Sequence, residues 1–187
     1  IIAVDLEDGD HLIGVSITNG SNDIMLFSDG GKAVRFAEGN VRAMGRTARG
    51  VRGMRLPDTE ALISLVVTDD ETQSVLTATE NGYGKRTKVA EYTRHGRGTK
   101  GMAAIQTSAR NGRVVSAKLV SEKDEVMLIT TGGVLIRTSV SEIREMGRST
   151  QGVRLINLGS NEKLSGLVKV EEQVVIEGDD GGEDLTD

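Results

Sequence analysis

The stretch Asp23-Ile-Met-Leu-Phe-Ser-Asp-Gly-Gly-Lys-Ala-Val-Arg35 returns as Ser74-Val-Leu-Thr-Ala-Thr-Glu-Asn-Gly-Tyr-Gly-Lys-Arg86 and again as Glu125-Val-Met-Leu-Ile-Thr-Thr-Gly-Gly-Val-Leu-Ile-Arg137, each time 51 residues further on. Every copy is a short apolar run, a glycine turn and a second run ending in Arg, which reads as a β-hairpin. The turn pairs Gly30-Gly31, Asn81-Gly82 and Gly132-Gly133 accept the positive φ values of a two-residue type I′ turn. In the same register Gly45-Arg46, Gly96-Arg97 and Gly147-Arg148 coincide, followed by Gly50-Val51, Gly101-Met102 and Gly152-Val153. Four short strands in a period of this length make a propeller blade.

Working outward, an apolar segment precedes each hairpin: Leu12 to Ile17, Leu62 to Val67 and Val114 to Leu119. A fourth, Leu164 to Val170, has no hairpin after it. Alternation at Ile13, Val15 and Ile17 predicts a strand, and Val51 to Leu56 predicts the last strand of the first unit. The chain is therefore expected to be all-β, a partial propeller-like β-pinwheel of about three four-stranded blades plus one extra strand. Its repeats fall at about 11–58, 61–109 and 113–159, with a closing strand at 162–170. Tyr92 replaces Val41 and Ile143 and is expected in the core; Tyr83 replaces Lys32 and Val134 on a hairpin strand.

Composition narrows the chemistry. With 187 residues there is chain enough for one ordinary domain or a short repeat array. Cysteine is absent and only His11 and His95 are present, which excludes disulfides and thiolate sites and leaves little for a histidine metal centre or triad. Two Phe, two Tyr and no Trp cannot furnish a belt of base-stacking rings. No apolar run reaches membrane-spanning length and no secretory leader opens the chain, so a cytoplasmic protein is expected. The start at Ile1, without Met, suggests a piece of something longer.

The net charge of −5 hides an asymmetry. Residues 1–10 carry four acids and 171–187 carry eight, with no base in either. Residues 11–170 hold all 23 Lys and Arg against 16 acids, a net +7. The terminal 171–187 segment, nearly devoid of apolar residues after Ile176, is expected to be a disordered acidic tail. It either solubilises the chain or competes with an acidic polymer for the basic body.

Radial blades place equivalent positions on one rim, so the repeated cations Arg46, Arg97 and Arg148, with Arg49 and Lys100, predict a curved basic belt. Arg35, Arg86, Arg137, Lys85, Lys88, Arg42, Arg94 and Arg144 are expected to thicken it. Glycine beside arginine lets a backbone N–H and a guanidinium approach one phosphate together. Such a belt suits bent duplex DNA, bound without regard to sequence and weakened steeply by salt. A propeller that meets acidic proteins, or its own tail, is the competing reading.

Enzyme readings fail on their residues. Gly82-Tyr-Gly-Lys-Arg-Thr87 lacks the first Gly and the final Ser or Thr placement of a phosphate loop, and Asp69-Asp-Glu71 lies in a variable loop between strands. No catalytic, metal or cofactor site is expected.

Three stretches carry a family likeness: Val41-Arg-Ala-Met-Gly-Arg-Thr-Ala-Arg-Gly-Val-Arg-Gly-Met-Arg-Leu56, Leu76-Thr-Ala-Thr-Glu-Asn-Gly-Tyr-Gly-Lys-Arg-Thr87 and Gly147-Arg-Ser-Thr-Gln-Gly-Val-Arg154. They resemble the later blades of the C-terminal domain of bacterial DNA gyrase A proteins, over residues 1 to about 172. The resemblance implies a pinwheel of about six blades whose strands are exchanged between neighbours. It further implies that the perimeter wraps duplex DNA so that an A2B2 holoenzyme, completed by the gyrase B protein, introduces negative supercoils, its ATP and Mg held by other regions. The family's Gln-Arg-Arg-Gly-Gly-Arg-Gly-like box is absent, so the start of the ring is expected to be missing, and the C-terminal domain of topoisomerase IV is the nearest rival. A partial ring leaves blade edges open, and the chain is expected either to stay an open arc or to pair with a second copy.

Overall fold

The computed structural model describes residues 1–171; the expectation of a disordered tail lies, apart from Glu171, outside the described residues. Among the described residues there are eleven strands: β1 (Asp23–Ser28), β2 (Lys32–Ala37), β3 (Leu62–Thr68), β4 (Ser74–Thr79), β5 (Tyr83–Lys88), β6 (Met102–Ala103), β7 (Val114–Val120), β8 (Glu125–Thr130), β9 (Leu135–Ser139), β10 (Val153–Arg154) and β11 (Leu164–Val170). They form three antiparallel sheets in the orders β3-β1-β2-β6, β10-β5-β4-β7 and β11-β8-β9. The three hairpins, and the single 3-10 turns after them at Glu38–Asn40, Val89–Glu91 and Val140–Glu142, keep the 51-residue period.

Each blade draws on two successive repeats. The apolar segment that precedes a hairpin in sequence pairs with the hairpin before it: β3 lies on β1 with Met25 opposite Val66, and β7 lies on β4 with Val75 opposite Leu119. The short strand after the Gly-Arg loop also reaches back, β6 pairing with β2 through Ala33 and Met102, and β10 with β5 through Gly84 and Val153. This is the strand exchange that the family resemblance implies. The closing strand expected at 162–170 is β11, which pairs with β8 and completes the inner side of a third blade of three strands.

Two strand expectations are corrected by this arrangement. Residues 11–20 form no strand, and Val15 and Ile17 are exposed, because residues 1–10 supply no hairpin for them to join. For the same reason Val51 to Leu56 holds only an isolated bridge from Met54 to Thr99. The turn chemistry also differs. The Gly31 N–H donates to Ser28 O at 3.1 Å, and of the turn pair only Gly31 has positive φ, at 82°. This is a three-residue loop ending on a left-handed glycine rather than a type I′ pair.

The core lies between blades. Met25, Phe27 and Val66 of the first blade, with Ala104 just past β6, meet Val75, Ala117, Val89 and Tyr92 of the second blade. Leu76, Val120 and Ile156 in turn meet Val126, Leu128, Val140, Ile143, Leu164 and Leu167. Tyr92 is fully buried, its ring edge-on to Phe27 at 5.9 Å. Aliphatic side chains fill almost all the rest, as the lack of aromatic residues requires.

Candidate nucleic-acid interface

The outermost strands β6 and β10 and the Gly-Arg loops before them put the cations of the second and third repeats beside the β2 and β5 edges, while the Gly45-Arg46 loop joins no hairpin among the described residues. The structure divides those cations into two kinds. Arg42, Arg46, Lys100 and Arg144 are exposed, and among the described residues their side chains hold no ion pair. Arg49 is exposed too, though it meets Asp5 and Glu7, both at 3.1 Å. Arg94 reaches Asp23 at 2.9 Å while remaining largely in solvent, and half-buried Lys88 meets Glu145 at 3.3 Å. The exposed Arg49 pairs are weak and readily exchanged for a phosphate, whereas Arg94 is held by a buried carboxylate.

Arg97 and Arg148 behave alike. Nη1 of Arg97 donates to Arg52 O at 3.2 Å, and Nη1 of Arg148 donates to Ala103 O at 3.0 Å. Residues 52 and 103 are equivalent places in the preceding repeats, so each guanidinium pins the loop behind it, and Nε of Arg97 also donates to Asn40 O at 3.0 Å.

Arg35, Arg86 and Lys85 are the second kind, and their expected place on the belt is corrected: all three are buried. Nε of Arg35 donates to Asp23 at 2.7 Å, Nη1 donates to Val89 O at 3.1 Å and Tyr92 O at 3.0 Å, and Nη2 pairs with Glu71. Burial works against the charge, but the hydrogen bonds and charges of Glu71 and Asp23 outweigh it and hold the guanidinium above its ordinary value. One repeat later Arg86 donates to Ile143 O at 2.6 Å and meets Glu122 at 3.2 Å. Lys85 occupies the place of Val34 and Ile136, its Nζ donating to Gly147 O at 2.5 Å and Arg148 O at 2.6 Å. Burial depresses its pKa to about 8, with Glu91 opposing and Arg148 assisting. Arg137, the third copy of Arg35, is exposed and pairs with Glu125; among the described residues no following repeat supplies it with carbonyls.

Sequence reasoning missed a cluster on the second blade. Tyr83 on β5 stands opposite Arg154 on β10. Arg154 donates to the phenol oxygen at 2.9 Å, and the guanidinium carbons of Arg110 and Arg154 lie 4.6 and 5.5 Å from the ring centre. The hydrogen bond from Arg154, and after it that from Arg110, lowers the phenol pKa. Both arginines are exposed, and among the described residues neither meets a carboxylate. Arg154 shares its register with Arg52, which the 51-residue alignment contained; Arg110 lies in a turn of variable length and gave no such signal. Lys32 and Arg55, also missed, line one shallow cleft with Lys100, Leu56 and Pro57.

Exposed cations recur in all three repeats, at Arg42 and Arg46, at Lys100 and at Arg144, and no helix among the described residues is long and apolar enough to cross a membrane. Comparison with known proteins extends this. The family model described as DNA gyrase C-terminal domain, beta-propeller, matches residues 1–19, 22–69, 73–121 and 124–171. The DNA gyrase A protein of Salmonella typhimurium is 52% identical over 174 residues, covering 93% of this chain and 20% of its own. That of Pseudomonas aeruginosa is 51% identical over 172 residues, covering 92% and 18%. The chain thus spans about a fifth of the length of the curated relatives it matches. Among solved structures, a DNA gyrase A C-terminal domain superposes with a TM-score of 0.82 at 28% identity, over 90% of this chain and 57% of that one. The C-terminal domain of DNA topoisomerase IV superposes at 0.85 with 25% identity, over 90% and 53%.

Proposed function

Because the chain belongs to the DNA gyrase C-terminal domain family, we propose that its blades bind, bend and wrap duplex DNA as the C-terminal part of a type IIA topoisomerase, the A protein of DNA gyrase. The observation that carries this reading is the return, every 51 residues, of a Gly-Arg loop, set beside the outer edge of successive sheets at residues 96–97 and 147–148, with Arg42, Arg46, Lys100 and Arg144 exposed and, among the described residues, in no ion pair. Cations at equivalent places on successive blades follow a backbone of regularly spaced phosphates, and they carry no information about base sequence. Arg110 and Arg154, held against Tyr83, belong to the same surface. Strand cleavage, its metal and ATP hydrolysis belong to other parts of an A2B2 assembly with the gyrase B protein, working on the nucleoid in the cytoplasm; this chain contributes the wrap and no catalytic group.

Binding of a long and a short duplex across a salt series tests the reading, followed by ligation of nicked circles with the protein bound. Steep salt dependence, preference for the long duplex and a shifted linking number are expected. Weak binding indifferent to duplex length would instead favour a propeller that recognises acidic proteins.

A further inference from the structure

One buried face of the second blade is polar where its neighbours are apolar. Thr77 takes the place of Leu26 and Leu128, Lys85 that of Val34 and Ile136, and Tyr92 that of Val41 and Ile143. Thr77 and Lys85 stand opposite each other on β4 and β5, and all three side chains are at most 1% exposed. Aliphatic residues hold this place in the other two repeats, so the fold itself does not call for a cation here. An ammonium withdrawn from water is costly unless it is well paired.

Lys85 is paired with the backbone of a loop. Its Nζ donates to Gly147 O at 2.5 Å and to Arg148 O at 2.6 Å, two successive carbonyls of the third repeat's Gly-Arg loop. Thr87, on the same face of β5, donates to Met146 O at 2.8 Å, so three consecutive carbonyls are turned toward β5. In a trans peptide the N–H points opposite to the C=O of the same unit, and the N–H groups of Arg148 and Ser149 therefore point away from Lys85. Lys85 is wholly buried while Gly147 and Ser149 are exposed, so that direction is toward solvent. Neither N–H donates to a protein acceptor among the described residues. Successive N–H groups directed the same way at a turn make a concavity that accepts an anion. The preceding loop differs: Val34 offers no donor, and the N–H of Gly98, which corresponds to Ser149, is taken by Gly53 O at 2.5 Å.

We propose that Lys85 is a positioning residue for DNA: from beneath the loop it holds the Gly147 and Arg148 carbonyls inward, so that the Arg148 and Ser149 N–H groups receive one phosphate of the duplex. The inference rests on the duplex-binding reading above and adds a backbone phosphate site that the Gly96-Arg97 loop lacks. The charged groups that face Lys85 are Glu91, from the 3-10 turn after β5, and Arg148 on the loop itself. Opposite it β4 presents Thr77, and β7 behind that strand presents Ala117. The Glu91 carboxylate, 3.6 Å from where a Cβ on Gly147 would stand, opposes an anion. Loop and support thus carry one net positive charge while Lys85 is protonated and none once it is neutral. Burial holds the Lys85 pKa down at about 8, with Glu91 opposing and Arg148 assisting. A phosphate over the loop raises it, so binding takes up a proton and affinity falls as pH rises through that value.

The test uses the whole chain and its Lys85→Met variant, in which an apolar side chain replaces the cation as Val34 and Ile136 do; circular dichroism verifies folding. Backbone amide shifts are followed on adding a short duplex, together with affinity across a salt series and between pH 7 and pH 9. In the native chain the Arg148 and Ser149 amide protons should move downfield while that of Gly98 stays. Lys85→Met should lose both shifts, bind about tenfold more weakly at pH 7 and show a salt slope lower by about one unit. Its affinity should also fall less steeply from pH 7 to pH 9 than that of the native chain. The native amide shifts need no substitution, so they decide the matter even if Lys85→Met fails to fold. Duplex binding with the two amides unmoved overturns this inference alone. So does a folded Lys85→Met variant that binds more weakly while both amides still move, since the lysine then acts only as a distant charge. A native chain that binds no duplex overturns the duplex-binding reading and this inference with it.

Discussion

Arg35 and Arg46 are both repeated arginines, eleven positions apart, and they do opposite work. Arg35 spends its N–H groups on Asp23, Glu71 and two carbonyls of the next repeat. Arg35→Ala leaves those carbonyls unsatisfied and the buried Asp23 carboxylate held only by the exposed Arg94, and the expected loss is about 3 kcal/mol in urea unfolding. Arg154→Ala and Arg110→Ala should cost under about 0.5 kcal/mol, yet each should lower the salt slope of DNA binding by about one unit. A slope unchanged in the Arg110 and Arg154 double variant would remove the tyrosine cluster from the interface. Lys85 gives a pH signature. Its folded pKa of about 8 lies below the ordinary lysine value of 10.5, so between those values the unfolded chain binds more protons and stability rises with pH. Below pH 8 the penalty of the buried charge is fully present. Unfolding midpoints should climb from pH 8 to pH 10 in the native chain, and Lys85→Met should flatten that climb.

At the scale of elements, the hairpins were legible because their information is local: a turn glycine, an apolar run and a fixed period. Gly82 shows how tightly such a turn is built, since its φ of 80° is joined by Ile156 O only 2.8 Å from where a Cβ would stand. Gly133 has the same left-handed backbone, at φ of 81°, with nothing near it. Gly133→Ala should therefore cost about 1–2 kcal/mol from backbone conformation alone, and Gly82→Ala visibly more; equal losses in the two would mean the neighbouring strand yields. Strand partnership was not legible. The segment around Val15 carries the same alternation as β3, and only the presence of an earlier hairpin decides between a ladder and an exposed run. The same holds for the site. Arg46 and Arg35 are indistinguishable by type and period, and burial of the latter follows from carbonyls 54 and 57 positions away. Exposure matches the reading where a loop is open in its own right, at Arg42, Arg46 and Lys100, and departs from it where the next repeat closes over the side chain.

For the whole molecule, charge separation is the dominant fact: a body of net +7 between termini that hold twelve acids and no base. Deleting residues 171–187 removes eight carboxylates, and DNA affinity is expected to rise severalfold at low salt, the gain fading as screening shortens. An unaltered affinity would leave the tail a solubilising terminus. The interleaving of repeats has a further consequence for how the chain comes into being. On a ribosome, β1 and β2 emerge together and zip within about 10 μs, but Lys32 and Ala33 must wait for Ala103 and Met102. Translation at about 5–20 residues per second makes that wait several seconds. Every nascent blade therefore stands unfinished while its successor is being translated, and completion travels toward the C-terminus always one repeat behind synthesis.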